Sequence, residues 1–187
     1  MKNTPKLVAA LCPVLILALF SAQPAGAQMP DGIRLIPDAG WTYVSDQVMG
    51  GQSTGGARIE TVDGQPVLRL TGDVSTANRG GFLQTRITLD NPPPDGVQGV
   101  TLKVRGNGEG YFVHLRTTGT VLPWQYYQAS FPSTPDWAEL RIPFSAFEPS
   151  GNLLRGTIRP ETIRSLGVVA YGRDHRADVS VMWAGFY

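Results

Sequence analysis

The side chains able to do chemistry in this chain are few, and each stands in a context that limits it. Gly51-Gln52-Ser53-Thr54-Gly55 spells G-x-S-x-G, the pattern that raises a nucleophilic serine on a sharp turn between a strand and a helix. Here the residues that follow, Gly56-Ala57-Arg58-Ile59-Glu60, read as a strand. The histidines available as a base are His114, inside an alternating strand pattern, and His175, directly after Asp174. Sequence neighbours do not form the base and orienter of a triad, so an enzyme is not expected. Gly106-Asn107-Gly108-Glu109-Gly110 lacks the Gly-Lys-Ser/Thr end of a phosphate-binding loop and meets Tyr111 where a dinucleotide fingerprint needs glycine. A hairpin turn accounts for it. Asp174, His175 and Asp178 offer ligands to a cation such as calcium, although a solvated polar loop has the same composition. Two scattered histidines make no zinc site, and neither a metal nor any other cofactor is expected.

Two further segments carry recognition chemistry. Trp124, Tyr126 and Tyr127 lie close together on a predicted strand, with Trp124 and Tyr126 on one face. Exposed rings there would stack on sugar rings or peptide side chains. Core packing is the competing account for Trp124, because Tyr127, Ala129 and Phe131 already form an inward set. The densest segment is Trp41-Thr42-Tyr43-Val44-Ser45-Asp46-Gln47-Val48-Met49-Gly50-Gly51-Gln52-Ser53. Gly50 and Gly51 after a Val-Met pair demand a tight turn or a close approach of backbone. Asp46 is expected to fix the loop by accepting local backbone N–H bonds. Met49 is expected at an exposed loop tip, where a flexible thioether adapts to a partner.

The elements that position these residues are strands. Leu83, Thr85, Ile87 and Leu89 alternate with Gln84, Arg86 and Thr88; Val100, Leu102 and Val104 with Thr101, Lys103 and Arg105; Tyr111, Val113 and Leu115 with His114 and Arg116. Each is a half-buried strand pattern. Weaker versions occur at Arg58 to Glu60, Pro66 to Thr71, Gln125 to Phe131, Trp137 to Ile142, Leu166 to Tyr171 and Val179 to Tyr187, giving about nine or ten strands. Turn clusters such as Asp63-Gly64 and Asn91-Pro92-Pro93-Pro94-Asp95-Gly96 separate them. Short helical turns are expected at Phe144 to Phe147 and Pro160 to Arg164, the latter with Pro160 at the first helical position. The expected fold is all-β: an antiparallel two-sheet sandwich of jelly-roll type around one core.

Composition agrees. The 22 Gly and 15 Pro among 187 residues exclude a long-helix bundle, while 42% apolar and 17% charged residues allow a real core. With 16 basic against 15 acidic side chains there is no electrostatic footprint for nucleic acid. Met1 to Lys6 is basic, Leu7 to Phe20 is apolar, and Ala25-Gly26-Ala27 fits a small-x-small cleavage site. Residues 1–27 therefore read as a secretory signal peptide, too short in its apolar run to span a bilayer comfortably, and residues 28–187 as one exported domain, periplasmic or secreted, with no stable membrane span. The lone cysteine, Cys12, lies inside that leader. The mature domain then has no thiol and must be held together by its core.

The Trp41 to Ser53 segment resembles the hallmark of the family of complex I intermediate-associated protein 30, the CIA30 domain. The resemblance continues through Gly72-Asp73-Val74-Ser75, Asn78-Arg79-Gly80-Gly81-Phe82, Gly99 to Gly108 with Arg105, Tyr127-Gln128-Ala129, Leu140 to Phe144, and Leu166-Gly167. It implies a galactose-binding-like β-sandwich not known as an enzyme, whose mitochondrial members act as assembly factors or chaperones for respiratory complex I. The first reading is thus a non-catalytic binding or assembly domain that engages a protein partner, of a respiratory complex or the envelope, through the Asp46 to Ser53 loop and the Asn78 to Phe82 turn. Its candidate contacts are Asp46, Met49, Gly50, Gly51, Ser53, Asn78 and Arg105. The alternative is a carbohydrate-binding module that holds a glycan on Trp124 and Tyr126.

Overall fold

The computed structural model describes residues 34–35, 37 and 40–187; the proposed leader lies outside the described residues. The strands are β1 (Arg34–Leu35), β2 (Thr42–Ser45), β3 (Thr54–Val62), β4 (Gln65–Val74), β5 (Phe82–Thr88), β6 (Gly99–Gly106), β7 (Gly110–Thr117), β8 (Tyr127–Pro132), β9 (Ala138–Pro143), β10 (Glu148–Pro149), β11 (Ile163–Tyr171) and β12 (His175–Phe186). They form two antiparallel sheets. The first has the order β3-β4-β12-β6-β9, with β1 also on β12; the second has the order β10-β8-β7-β11-β5-β2. Among the described residues helix is confined to 3₁₀ turns, including Phe144–Ala146 and Pro160–Thr162 where the sequence expects them.

Alternation places the core. Leu83 and Ile87, Val100, Leu102 and Val104, Tyr111, Val113 and Leu115, and Leu166, Val168 and Ala170 are all buried between the sheets. Each strand therefore presents its other residues outward. In β12 a register shift between Val181 and Trp183 lets Val179 and Val181 face the core with Ala184 and Phe186 after them. The Asp63-Gly64 pair, both at positive φ, joins β3 to β4 in a two-residue hairpin. At the far end of β12, β1 pairs with Ala184 and Gly185, and Tyr187 is held by bonds from the Gln98 N–H and to the Gly99 carbonyl.

Two expectations are corrected. The strand read over Gln125 to Phe131 begins at Tyr127, so Trp124 and Tyr126 do not share a strand face. The cause is Pro123: it sits second in a turn closed by the Gln125 N–H on the Leu122 carbonyl, a position for which its fixed φ is suited. The short strands β1, β2 and β10 lie outside the expected set; each is too brief to show a period of two.

Candidate functional site

The signature segment folds as β2 followed by a 3₁₀ turn, Asp46–Met49, whose end is Gly50 at φ 88°. Any other residue would be strained there. Asp46 is fully buried at the start of the turn. Its Oδ1 accepts from the Ser53 N–H at 3.0 Å, and its Oδ2 accepts from the Ser53 hydroxyl at 2.5 Å, the Gly81 N–H at 2.5 Å and the Phe82 N–H at 3.4 Å. Ser53 Oγ in turn accepts from the Ser75 N–H at 3.0 Å. Gly51 and Gly80 flank the carboxylate so closely that a Cβ at either would run into it. One glycine of each signature pair is thus explained by one buried side chain, and their neighbours Gly50 and Gly81 by their positive φ, 88° and 122°. Burial alone would raise the Asp46 carboxyl; the hydrogen bonds from Ser53, Gly81 and Phe82 outweigh it and hold the group below the usual carboxylate range.

Ser53, buried and wholly engaged with Asp46 and Ser75, is neither an exposed nucleophile nor a residue a partner can touch, and the same burial removes Asp46 from direct contact. What the arrangement presents is the turn above them. Val48 and Met49 are 76% and 63% exposed. Beside them stands the 3₁₀ turn Ala77–Arg79, in which Asn78 and Arg79 both adopt left-handed φ, 56° and 59°. Asn78 Nδ2 donates to the Gly50 carbonyl at 3.5 Å, so the two loops expected to share a face do so. Two consecutive non-glycine residues in that region carry strain that the surrounding bonds must hold.

The remaining candidates lie elsewhere. Arg105 faces outward on the first sheet, its guanidinium 4.8 Å from the centre of the Trp137 ring. Trp124 is 64% exposed on the turn before β8, which overturns its reading as core. Tyr126 stacks on His114, ring centres 4.0 Å apart and planes 9° from parallel, and Tyr171 meets both edge-on. His114 is buried beneath on the outward side of β7. Burial pushes its imidazole down to about 3 despite a smaller opposing pull from Gln128. Sequence reasoning missed this cluster because the alternation of β7 marks His114 as outward but cannot show what covers it. Asp174 and Asp178 do not converge: Asp174 accepts from the Thr76 N–H and hydroxyl, both at 2.7 Å, and Asp178 takes the fork of Arg69 at 2.8 and 2.7 Å. A groove of about 560 Å³ opens beside this last pair, over Gly56 and Thr71.

Fold and site together define a galactose-binding-like β-sandwich with a braced loop tip at one end. A sequence match over residues 36–179 makes the chain a member of the family of complex I intermediate-associated protein 30. No curated protein matches it in sequence. Among solved structures it is similar to the family 11 carbohydrate-binding module from Clostridium thermocellum in complex with a β-1,3-1,4-mixed-linked tetrasaccharide, at 16% identity over 82% of this chain and 93% of that one, with a TM-score of 0.65. The same module of a cellulosomal cellulase from Clostridium thermocellum matches at 15% identity over 83% and 95%, TM-score 0.65. A family 30 carbohydrate-binding module matches at 16% over 82% and 84%, TM-score 0.53. At these identities the likeness is one of fold.

Asp46→Ala strands the Ser53, Gly81 and Phe82 donors, and at about 1 to 3 kcal/mol for each buried unpaired group it should cost at least about 3 kcal/mol in urea melts. Met49→Ala should stay within about 0.5 kcal/mol, as an exposed substitution does. His114 gives a second expectation. Its folded pKa lies below its unfolded value of 6.5, so its contribution is intact above pH 6.5 and is lost as pH falls through that value toward 3. Asp46 titrates only below the carboxylate range. Stability should therefore decline between pH 6.5 and 4.5 by up to about 1.4 kcal/mol per unit, and His114→Gln should flatten that slope.

Proposed function

We propose that this domain is an exported, non-catalytic binding module that docks on a protein partner through its Val48–Met49 tip. One observation carries the reading: two large apolar side chains stand in solvent on a turn whose shape is fixed from beneath by a buried carboxylate. An exposed apolar pair is ordinary on a mobile loop, but here four hydrogen bonds to Asp46 hold it in one conformation. Preorganisation of that kind lowers the ordering cost of association. The family description names association with an intermediate of complex I, which supports a protein partner. Export rests on the order of basic start, apolar run and Ala25-Gly26-Ala27. A second reading, carbohydrate binding, is favoured by the ring cluster of Tyr126, Tyr171 and His114 on the outward face of the second sheet. It also draws support from the tetrasaccharide held by a neighbour of the same fold.

The tip is tested by affinity capture from envelope extracts with Val48→Ser/Met49→Ser, beside Leu153→Ser, which alters an equally exposed apolar residue elsewhere. Partner recovery should fall at least tenfold in the first variant and not in the second; equal recovery in both would end the reading. N-terminal sequencing of the envelope-fraction protein should begin near Gln28, and retention of Met1 would argue against a cleaved leader.

A further inference from the structure

The outward face of the second sheet carries an unusual row. Reading across the register, Glu148 of β10 stands opposite Gln128 of β8, then His114 of β7, Gly167 of β11 and Arg86 of β5. His114 Nε2 and Gln128 Oε1, adjacent in this row, are both buried with no hydrogen-bond partner among the described residues. Each such atom costs about 1 to 3 kcal/mol and is normally satisfied in a working protein. The two atoms face each other, Gln128 exerting a small upward pull on the imidazole, and a polar ligand reaching this outward side of the sheet would complete the bonding of both. A hydroxyl group fits both when Nε2 carries the proton: it donates to the Gln128 carbonyl oxygen and accepts from the Nε2–H.

Above these atoms are rings. Tyr126 lies flat on His114, Tyr171 meets both at an edge, and Phe112 meets Tyr171 at 89°. The Tyr126 backbone is pinned, its N–H on Ser150 Oγ and its carbonyl on the Ser150 N–H, while its side chain is bonded to Tyr171 and stacked on His114. Ligand access to the imidazole and the Gln128 oxygen requires the Tyr126 ring to move aside. Gly167 keeps the floor low; a Cβ there would strike the amide of Gln84, which lies across it.

The charges specify the ligand further. Arg86 and Arg116 both project from this face and neither makes an ion pair among the described residues. Arg116 instead donates to the Leu122 carbonyl at 2.9 Å, tethering the loop that carries Tyr126. Burial, with the Arg86 charge nearby, lowers the Arg116 pKa. The first sheet shows the contrast: there Arg58 pairs with Glu60, Arg69 with Asp178 and Lys103 with Glu139. The carboxylate in the row, Glu148, is four strands from Arg86, about 19 Å at 4.8 Å per strand, too far to neutralise it. Guanidinium groups without a carboxylate of their own are suited to bind one from outside, in a bidentate fork.

We infer that this face, with His114 under the Tyr126 ring at its centre and Arg86 and Arg116 at its flank, binds an acidic saccharide of the uronate class. The inference rests on the carbohydrate reading above and is independent of the Val48–Met49 tip. Titration calorimetry with a galacturonate tetramer and with a neutral β-1,3-1,4-linked glucose tetramer tests it, with imidazole proton NMR of the unmodified protein as the local readout. Binding of the acidic tetramer is expected, with the His114 ring resonances shifted at saturation. Affinity should fall at least tenfold in Arg86→Gln and also between 50 and 500 mM salt, while Ile59→Thr, an exposed change on the first sheet, binds as the parent does. If the neutral tetramer binds as well as the acidic one, and Arg86→Gln changes neither, carbohydrate binding stands and the acidic assignment is overturned. If neither saccharide binds, both fall. Acidic binding that leaves the His114 resonances unmoved places the site elsewhere and refutes this one.

Discussion

A single carboxylate closes one end of the sandwich. Asp46 leaves β2 in the second sheet and accepts from Ser53 as the chain enters β3 in the first, then from Gly81 and Phe82 as the chain enters β5 in the second. Ser53 passes the connection on to Ser75 at the end of β4. Two crossings between the sheets, from β2 to β3 and from β4 to β5, are thereby tied to two oxygen atoms. A carboxylate taken wholly out of water without a cation beside it is costly, and hydrogen bonds to a charge, each contributing about 1.5 to 3 kcal/mol, are what offset that cost. The geometry leaves no slack: Gly51 and Gly80 are required because the carboxylate occupies the space where their side chains would be.

The rest of that end follows from this constraint. Because Asp46 is held from three directions, the 3₁₀ turn it begins cannot relax, and Val48 and Met49 stay outside. Asn78 and Arg79 take up left-handed conformations so that the chain can turn back from β4 and deliver Gly81 to the carboxylate. Rigidity and exposed apolar surface arise from the same side chain. They are distinct from the chemistry of the second sheet's outward face, where Arg86 and Arg116 make no ion pair among the described residues.

Much of this was legible in the sequence, and the failures have physical causes. Strict alternation in β5, β6 and β7 marks both the core and the outward residues, because one face of each strand is dry. Asp46 and the glycine pairs announced a local constraint, and the expectation of a carboxylate bonded to backbone matches its burial; that the second glycine motif serves the same carboxylate is a contact across 35 residues that no local pattern encodes. Trp124 and Tyr126 were misplaced because aromatic density was read as strand propensity over a turn that Pro123 dictates. The Tyr126–His114 stack depends on a loop folding over a sheet, and only tertiary structure brings those rings together. Arg105 lies in a segment that resembles the family's, but its outward place on β6 sets it over the Trp137 ring rather than at the tip.

One further consequence lies in the path of β12. Its first residue, His175, pairs with Val74 beside the Asp46 end, while Gly185, ten positions on, pairs with Arg34. At about 3.3 Å per residue these points are roughly 33 Å apart. Arg34 and Tyr187 therefore lie toward the pole opposite Val48 and Met49. A molecule tethered by either terminus would hold its tip away from the anchoring surface like a probe on a short mast, free to meet an object approaching from the far side.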